Sequence, residues 1–330
     1  MSVSPDKMKP PVAPDSVTIE VDGRKLSARK GEMLIKVTDD AGIYIPRFCY
    51  HKKLTVAANC RMCLVEVEKA PKPMPACATP VMDGMIVRTR SEKARNAQKG
   101  TMEFLLINHP LDCPICDEGG ECDLQDLALG YGKDVSRYAE VKRIVKDRDI
   151  GPLIATEMTR CIHCTRCVRF GQEIAGVMEF GGLGRGEHME IRTFLNRSVD
   201  SELSGNVIDL CPVGALASKD FLYTQRVWYL KESPSVCSLC STGCSIHVDS
   251  NKDIIYRLRP RENPKAQGYF MCDEGRWGYH YVSNPGRITR PHMKVDGKLQ
   301  PVSWTEVTPR IHTAVIKAAQ ANPKKCVALF

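Results

Sequence analysis

The sequence predicts an α+β chain of several small domains, each organised around its own group of cysteines. Three observations carry that prediction. The chain is 330 residues long, more than one small domain needs. Short runs of alternating hydrophobicity are interleaved with runs of helical spacing. The sixteen cysteines fall in groups: 49, 60, 63 and 77; then 113, 116 and 122; then 161, 164, 167 and 211; then 237, 240, 244 and 272, with Cys326 alone. Such grouping suits metal sites, because a short CxxC loop delivers two ligands to one tetrahedral centre.

Composition narrows the alternatives. With 43% hydrophobic and 26% charged residues the bulk of the chain is neither disordered nor coiled coil. The longest uncharged stretch, Ser233 to Val248, falls short of the roughly 20 apolar residues of a spanning helix, so membrane association has to go through a partner. Residues 1–16 lack the apolar core of a secretory signal and read as a disordered arm. Without an export signal, disulfides are the weaker reading of the cysteines. The net charge of +8 invites a nucleic-acid reading, but Lys and Arg are scattered through the chain.

In the first segment, Val17 to Val21, the Asp22-Gly23 pair and Arg24 to Ala28 predict a two-residue β-hairpin. Met33 to Ala41 has helical spacing and stops at Gly42. Cys49 follows in the loop IPRFCY. Cys60 and Cys63, in NCRMC, lead into a strand from Leu64 to Glu68, and Cys77 closes the set. This order resembles the β-grasp ferredoxins that hold a 2Fe-2S cluster. The gap of ten residues between Cys49 and Cys60 departs from their C-x4-C-x2-C spacing, and a zinc ribbon is the alternative.

In the second, Ser91 is placed to cap a helix running to about Ile107, with Met102, Leu105 and Leu106 spaced for a buried face. It delivers His109 ahead of Cys113, Cys116 and Cys122. Three cysteines leave a four-ligand cubane one short, and His109 supplies the fourth. A neutral imidazole lowers the negative charge of the site and raises its reduction potential. Gly119 and Gly120 are placed to let backbone amides approach the sulfurs. A zinc site accepts the same ligands.

The third segment, CIHCTRC, sets Cys161, Cys164 and Cys167 at the first three positions of the bacterial ferredoxin run C-x2-C-x2-C-x3-C-P. The fourth position is Gly171, and the missing thiol reappears as Cys211 before Pro212. Counting back from Cys211, the ligand positions of the second run hold Val207, Ser204 and Ser201. The final Cys-Pro of each run ligates the other cluster. Loss of one cluster therefore removes these four thiols and leaves one 4Fe-4S site held by Cys161, Cys164, Cys167 and Cys211. Arg160, Arg166 and Arg169 either offset its charge or are ordinary solvated arginines. The run 181–186 is glycine-rich but has no strand leading into a dinucleotide fingerprint, and reads as a loop.

The fourth segment, VCSLCSTGC with Cys272 downstream, resembles the 4Fe-4S head of molybdopterin-oxidoreductase large subunits, with a hairpin from IHVDS and IIYRLRP between its ligands Cys237, Cys240, Cys244 and Cys272. The closing KKCVALF reads as the first strand of an α/β unit, Cys326 being a buried apolar thiol, and the chain reads as the front of a longer polypeptide.

Taken in order, the four sites resemble the large iron-sulfur subunit of NADH-quinone oxidoreductase, the G-type subunit of respiratory complex I, over about residues 17 to 330. The resemblance implies one 2Fe-2S cluster on Cys49, Cys60, Cys63 and Cys77. It implies three 4Fe-4S clusters: on His109, Cys113, Cys116 and Cys122; on Cys161, Cys164, Cys167 and Cys211; and on Cys237, Cys240, Cys244 and Cys272. It further implies a relay from a flavin/NADH-binding subunit through the first, third and second sites toward quinone-side iron-sulfur subunits, with the fourth site structural. The location implied is peripheral, on the cytoplasmic face of a bacterial inner membrane. The expected domains are an arm over 1–16, a 2Fe-2S domain over 17–92, a His-and-Cys segment over 93–132 and a single-cluster ferredoxin-like domain over 133–229. A Mo/W bis-MGD-type 4Fe-4S domain over 230–286 and the start of a molybdopterin-oxidoreductase-like α/β domain over 287–330 complete them. No residue needs to act as acid, base or nucleophile. The alternatives are the iron-sulfur subunit of an NAD-linked hydrogenase or formate dehydrogenase, which usually keeps both ferredoxin clusters, and a zinc-stabilised nucleic-acid-binding protein. Against the latter stand the C-x2-C-x2-C run and the absence of an aromatic platform or basic recognition helix.

Overall fold

The computed structural model describes residues 15–325. Residues 1–14 of the arm expected over 1–16, and Cys326 with the VALF that follows it, lie outside them. Ser16, counted with the arm, opens the first strand. The chain forms two compact units that divide between Gly278 and Tyr279.

The first unit begins with β1 (Ser16–Val21) and β2 (Arg24–Arg29), paired in the register Val21↔Arg24 around the Asp22-Gly23 turn. Both turn residues have positive φ, 49° and 82°, the conformation a tight hairpin demands. Then come α1 (Leu34–Asp40), β3 (Leu64–Val67), β4 (Met74–Pro75) and β5 (Ile86–Arg88). The five strands form a mixed sheet in the order β2-β1-β5-β3-β4, with β1 and β5 parallel. Alternation puts Val17, Ile19 and Val21 on its inner face, where they pack against Leu34, Ile35 and Val37 of α1. This is the grasp arrangement the hairpin and helix predict.

Helix α2 (Glu92–Leu106) starts where expected, the Ser91 hydroxyl accepting from the Ala94 amide. Its fully buried face is Ala94, Gln98 and Met102, while Leu105 and Leu106 are only partly covered. The elements that follow are α3 (Asp123–Tyr131), β6 (Ile154–Thr156), α4 (Arg166–Phe170), β7 (Phe180–Leu183), β8 (Glu190–Thr193), α5 (Asn206–Leu210) and β9 (Leu216–Ser218). Strands β6 and β9 pair antiparallel and share a core with Phe170, Phe180, Ile191, Val207 and Leu210. The glycine-rich run is not simply a loop: Gly181 and Gly182 lie in β7, paired with Arg192 and Ile191 of β8. Burial of Phe180 and Ile191 decides the pairing, and only Gly184 and Gly186 take the left-handed turn.

The fourth cysteine group rides on a three-stranded sheet, β10 (Lys231–Val236), β11 (Ser245–Asn251) and β12 (Ile254–Pro260), followed by α6 (Asp273–Trp277). The expected hairpin is β11-β12, and β10 adds a strand to it.

The second unit contains the hairpin β13 (His292–Val295) and β14 (Lys298–Pro301) and the helix α7 (Trp304–Ala321), capped by Ser303. Lys324 and Lys325, expected to open a strand, lie in a 3-10 turn from Pro323 to Lys325.

Candidate metal centres

None of the fifteen described cysteines is disulfide-bonded. Around the first group the Cys49 sulfur lies in hydrogen-bonding reach of those of Cys60 and Cys77, and Cys63 in reach of Cys77. Contact with Cys60 and Cys77 holds the Cys49 thiol far below its ordinary range, and Cys49 drives both partners upward. The Cys49 amide donates to the Cys60 sulfur at 3.4 Å. Arg61, between Cys60 and Cys63, has φ 59°, a left-handed conformation costing of order 1–3 kcal/mol.

The second group is looser. Cys116 and Cys122 are buried and Cys113 is exposed at the start of a 3-10 turn, Cys113–Ile115. Burial pushes the Cys122 thiol up to about 12 and holds the His109 imidazole down at about 4, with Lys142 and Arg160 adding to the latter. His109 is therefore neutral near pH 7, and its buried Nδ1 has no hydrogen-bond partner. The two glycines do not serve the sulfurs. The Gly119 amide donates to the Cys116 carbonyl at 3.1 Å and that of Gly120 to Gln125 Oε1 at 3.4 Å. A Cβ on Gly120 would meet Val227 at 2.8 Å, so glycine there admits a packing neighbour.

In the third group Cys164 is buried and Cys161, Cys167 and Cys211 are half-buried. Burial raises Cys167 and Cys211, and the neighbouring Cys164 and Cys161 add to that rise through their charge. Burial also takes Cys161 to about 12. His163 and Thr165 take φ of 54° and 61°, which folds the CIHCTRC loop back on itself, and the His163 amide donates to the Cys161 sulfur at 3.4 Å. Arg160, Arg166 and Arg169 are 3%, 8% and 8% exposed, so the solvated reading of these arginines is incorrect: they are interior residues.

In the fourth group, Cys237, Cys240 and Cys272 all act on the charge state of Cys244, and the Gly275 amide at the start of α6 donates to the Cys272 sulfur at 3.3 Å. Cys237 is buried and Cys240 exposed.

The cysteines of each group lie near enough to act on one another's charge, whereas the groups that act on His109 are Lys142, Arg160 and Asp112. Among the described residues, no three His, Cys, Asp or Glu side chains converge tightly enough to chelate one metal ion as they stand. What fits a thiolate-held cluster is the donor chemistry: unpaired buried thiols, N–H groups aimed at sulfur and an orphan imidazole nitrogen. Metal charge would release the protons that burial retains.

Comparison with known proteins agrees with this reading. Residues 14–92 match the 2Fe-2S iron-sulfur cluster binding domain, 98–137 the NADH-ubiquinone oxidoreductase-G iron-sulfur binding region, and 151–217 the ferredoxin-like domain of NADH-quinone oxidoreductase subunit 3. Residues 230–284 match the molybdopterin oxidoreductase Fe4S4 domain. The G subunit of NADH-quinone oxidoreductase from Rickettsia conorii is 46% identical over 313 residues, 95% of this chain and 46% of the relative. The chain belongs to the G-subunit family of NADH-quinone oxidoreductase. A mitochondrial 78 kDa subunit of NADH-ubiquinone oxidoreductase from Neurospora crassa is 48% identical over 96% of this chain and 43% of its own length. The chain spans less than half the length of these relatives. Among solved structures, an NAD+-reducing [NiFe]-hydrogenase matches at a TM-score of 0.59 and 27% identity, over 64% of this chain and 91% of its own.

In this member of the G-subunit family the structure also reveals contacts between groups that spacing alone does not. Arg169 donates to the carbonyls of Cys49 (2.5 Å) and Cys164 (3.3 Å), spanning the first and third groups. The Cys122 sulfur lies 3.9 Å from the Pro212 carbonyl, next to Cys211, and a Cβ on Gly214 would meet the Cys116 sulfur at 2.3 Å. Arg160 joins Asp112 to the Gly214 carbonyl. The third group therefore adjoins both the first and the second. The sequence signal for Gly214 was its place just past Cys-Pro in LCPVGAL. The arginine contacts had none, because each joins segments some 45 to 120 residues apart.

Proposed function

We propose that this chain is an electron-transfer subunit of proton-translocating NADH-quinone oxidoreductase, relaying electrons from a flavin/NADH-binding subunit toward quinone-side iron-sulfur subunits. The observation that carries the proposal is the adjacency of the groups: the ferredoxin-like third site touches both the grasp-domain first site and the His-containing second. The ligands are Cys49, Cys60, Cys63 and Cys77 for one 2Fe-2S cluster. For three 4Fe-4S clusters they are His109 with Cys113, Cys116 and Cys122; Cys161 with Cys164, Cys167 and Cys211; and Cys237 with Cys240, Cys244 and Cys272. These clusters supply one-electron redox chemistry, which makes and breaks no bond in the protein. The polypeptide's part is to bury the sites, aim N–H groups at sulfur and fix the spacing, all of which tune potential. The fourth site, off this line, serves stability.

The six domain ranges given under Sequence analysis are part of the proposal, as is a peripheral position on the cytoplasmic face of a bacterial inner membrane. No helix among the described residues is long and apolar enough to cross a membrane, which agrees with attachment through partner subunits. Nucleic acid has no part in this reading. A second reading, the iron-sulfur subunit of an NAD-linked hydrogenase, draws on the structural match to that enzyme. Gly171, Ser201, Ser204 and Val207, which delete one ferredoxin cluster, favour the first.

The test is Cys211→Ala in the assembled complex. The third-site EPR signal should vanish while the 2Fe-2S signal stays, and NADH-driven quinone reduction should stop while NADH oxidation by an artificial acceptor continues. Quinone reduction at the wild-type rate would overturn the assignment.

A further inference from the structure

Arg166 and Arg169, on one turn of α4, carry two guanidinium groups into the interior where a charge needs compensation. Arg169 donates to four acceptors, none a carboxylate: the Thr55 carbonyl at 2.5 Å, the carbonyls of Cys49 and Cys164, and Thr165 Oγ1 at 3.3 Å. Arg166 repeats the pattern, bonding the Tyr50 carbonyl at 3.0 Å and the Leu210 carbonyl at 3.2 Å, the neighbours of Cys49 and Cys211. Its one carboxylate, on Asp123, stands 3.7 Å away with half its side chain in solvent, and its buried Nε has no partner. Two cations are thus held between the first and third cysteine groups with almost no protein anion to answer them.

We propose that Arg166 and Arg169 form a fixed positive seam shared by the first and third sites, which sets their spacing and raises the reduction potentials of both. The inference rests on the iron-sulfur reading, since four thiolates and their metal core supply the negative charge that the interior otherwise lacks. Guanidinium stays protonated at any working pH, so the field is constant while one electron leaves the first site and enters the third, with no proton exchanged at the seam. Reduction adds negative charge beside a buried cation, which favours the reduced state at both sites. Arg169 is a positioning residue here, acting through the ligand loops.

The experiment is an EPR-monitored redox titration of the full-length protein, purified anaerobically with its clusters, as wild type, Arg169→Gln and Arg169→Lys. The expected result is lower midpoints for the first- and third-site signals in Arg169→Gln, unchanged midpoints at the second and fourth sites, and near-wild-type midpoints in Arg169→Lys. Full clusters with unmoved midpoints in Arg169→Gln, or an equal shift at all four sites, would overturn the proposal. Should Arg169→Gln fail to retain its clusters, Arg169→Lys decides. Retained clusters with wild-type midpoints support the seam; lost clusters or lowered midpoints show that the fork geometry alone matters. Wild-type protein without acid-labile sulfide would remove the iron-sulfur reading and the seam with it, a result distinct from any of these.

Discussion

At Gly214 the absence of a side chain has a specific cause. A methyl group there would overlap the Cys116 sulfur, and the close passage of the third site's loop beside the second depends on that gap. Gly214→Ala should cost about 1–3 kcal/mol through overpacking and remove the second-site EPR signal while sparing the 2Fe-2S signal. An unchanged spectrum would show that the loop yields. His109 makes a second case: its imidazole is neutral, buried and unpartnered at Nδ1. Replacing it by Cys adds a negative ligand, so His109→Cys should keep a cluster and lower its midpoint; a rise would contradict its role as ligand. Asp249, 1% exposed, accepts from Arg257 (2.7 Å) and Arg259 (2.8 Å). Burial would raise its carboxyl, but the two arginines outweigh it and hold it below the usual carboxylate range. Its contribution is complete above the unfolded value of about 4 and is lost as pH falls through the lower folded one. Asp249→Asn leaves Arg257 with Glu121 and Arg259 with Glu232 as their remaining carboxylates, which should cost about 1.5–3 kcal/mol at neutral pH and flatten the acid limb of the melting-temperature profile below about pH 4.

Among the elements, α5 and α6 show what the residues at the positions without cysteine do instead. Ser204, at one of the positions where a second run would carry cysteine, donates from Oγ to Asp273 at 2.5 Å, and the Gly205 amide donates to the same carboxylate at 2.7 Å. Asn206 exchanges two hydrogen bonds with the backbone of Met271, and Asp209 pairs with Arg276. A Cβ on Gly205 would strike Arg276 and Trp277 at 2.6–2.7 Å. The loop that in the two-cluster pattern holds metal here latches the segment carrying Cys272. Asp273→Ala should cost about 1.5–3 kcal/mol per lost charged bond and expose the 261–273 loop to limited proteolysis, with the first-site signal unaltered; equal resistance of variant and wild type would contradict the latch. The hairpin, α1, α2 and the β11-β12 pair were legible because turn residues, caps and periodicity act locally. The strand β7 was not, because Gly181 and Gly182 carry no β preference and the pairing is decided by Phe180 and by Ile191 across the hairpin.

Across the whole molecule, cysteine spacing made the four groups readable, since each rests mainly on a short loop. Their adjacency was hidden, because the chain visits the second group before the third whereas the fold sets the third against both of the others. The joints are consistent in kind. Arg169 and Arg166 bridge the first and third groups, Arg160 the second and third, and Arg257 ties Glu121, beside Cys122, to Asp249 under the fourth. Buried guanidinium suits this task because its planar fork reaches carbonyls and carboxylates of several loops at once. The proposed relay needs these thiols and one imidazole to enclose iron and inorganic sulfide. The direct measurement is combined metal, acid-labile sulfide and Mössbauer analysis of anaerobically prepared protein. One 2Fe-2S and three 4Fe-4S clusters per chain is the predicted result; a colourless protein with stoichiometric zinc and no sulfide would contradict it.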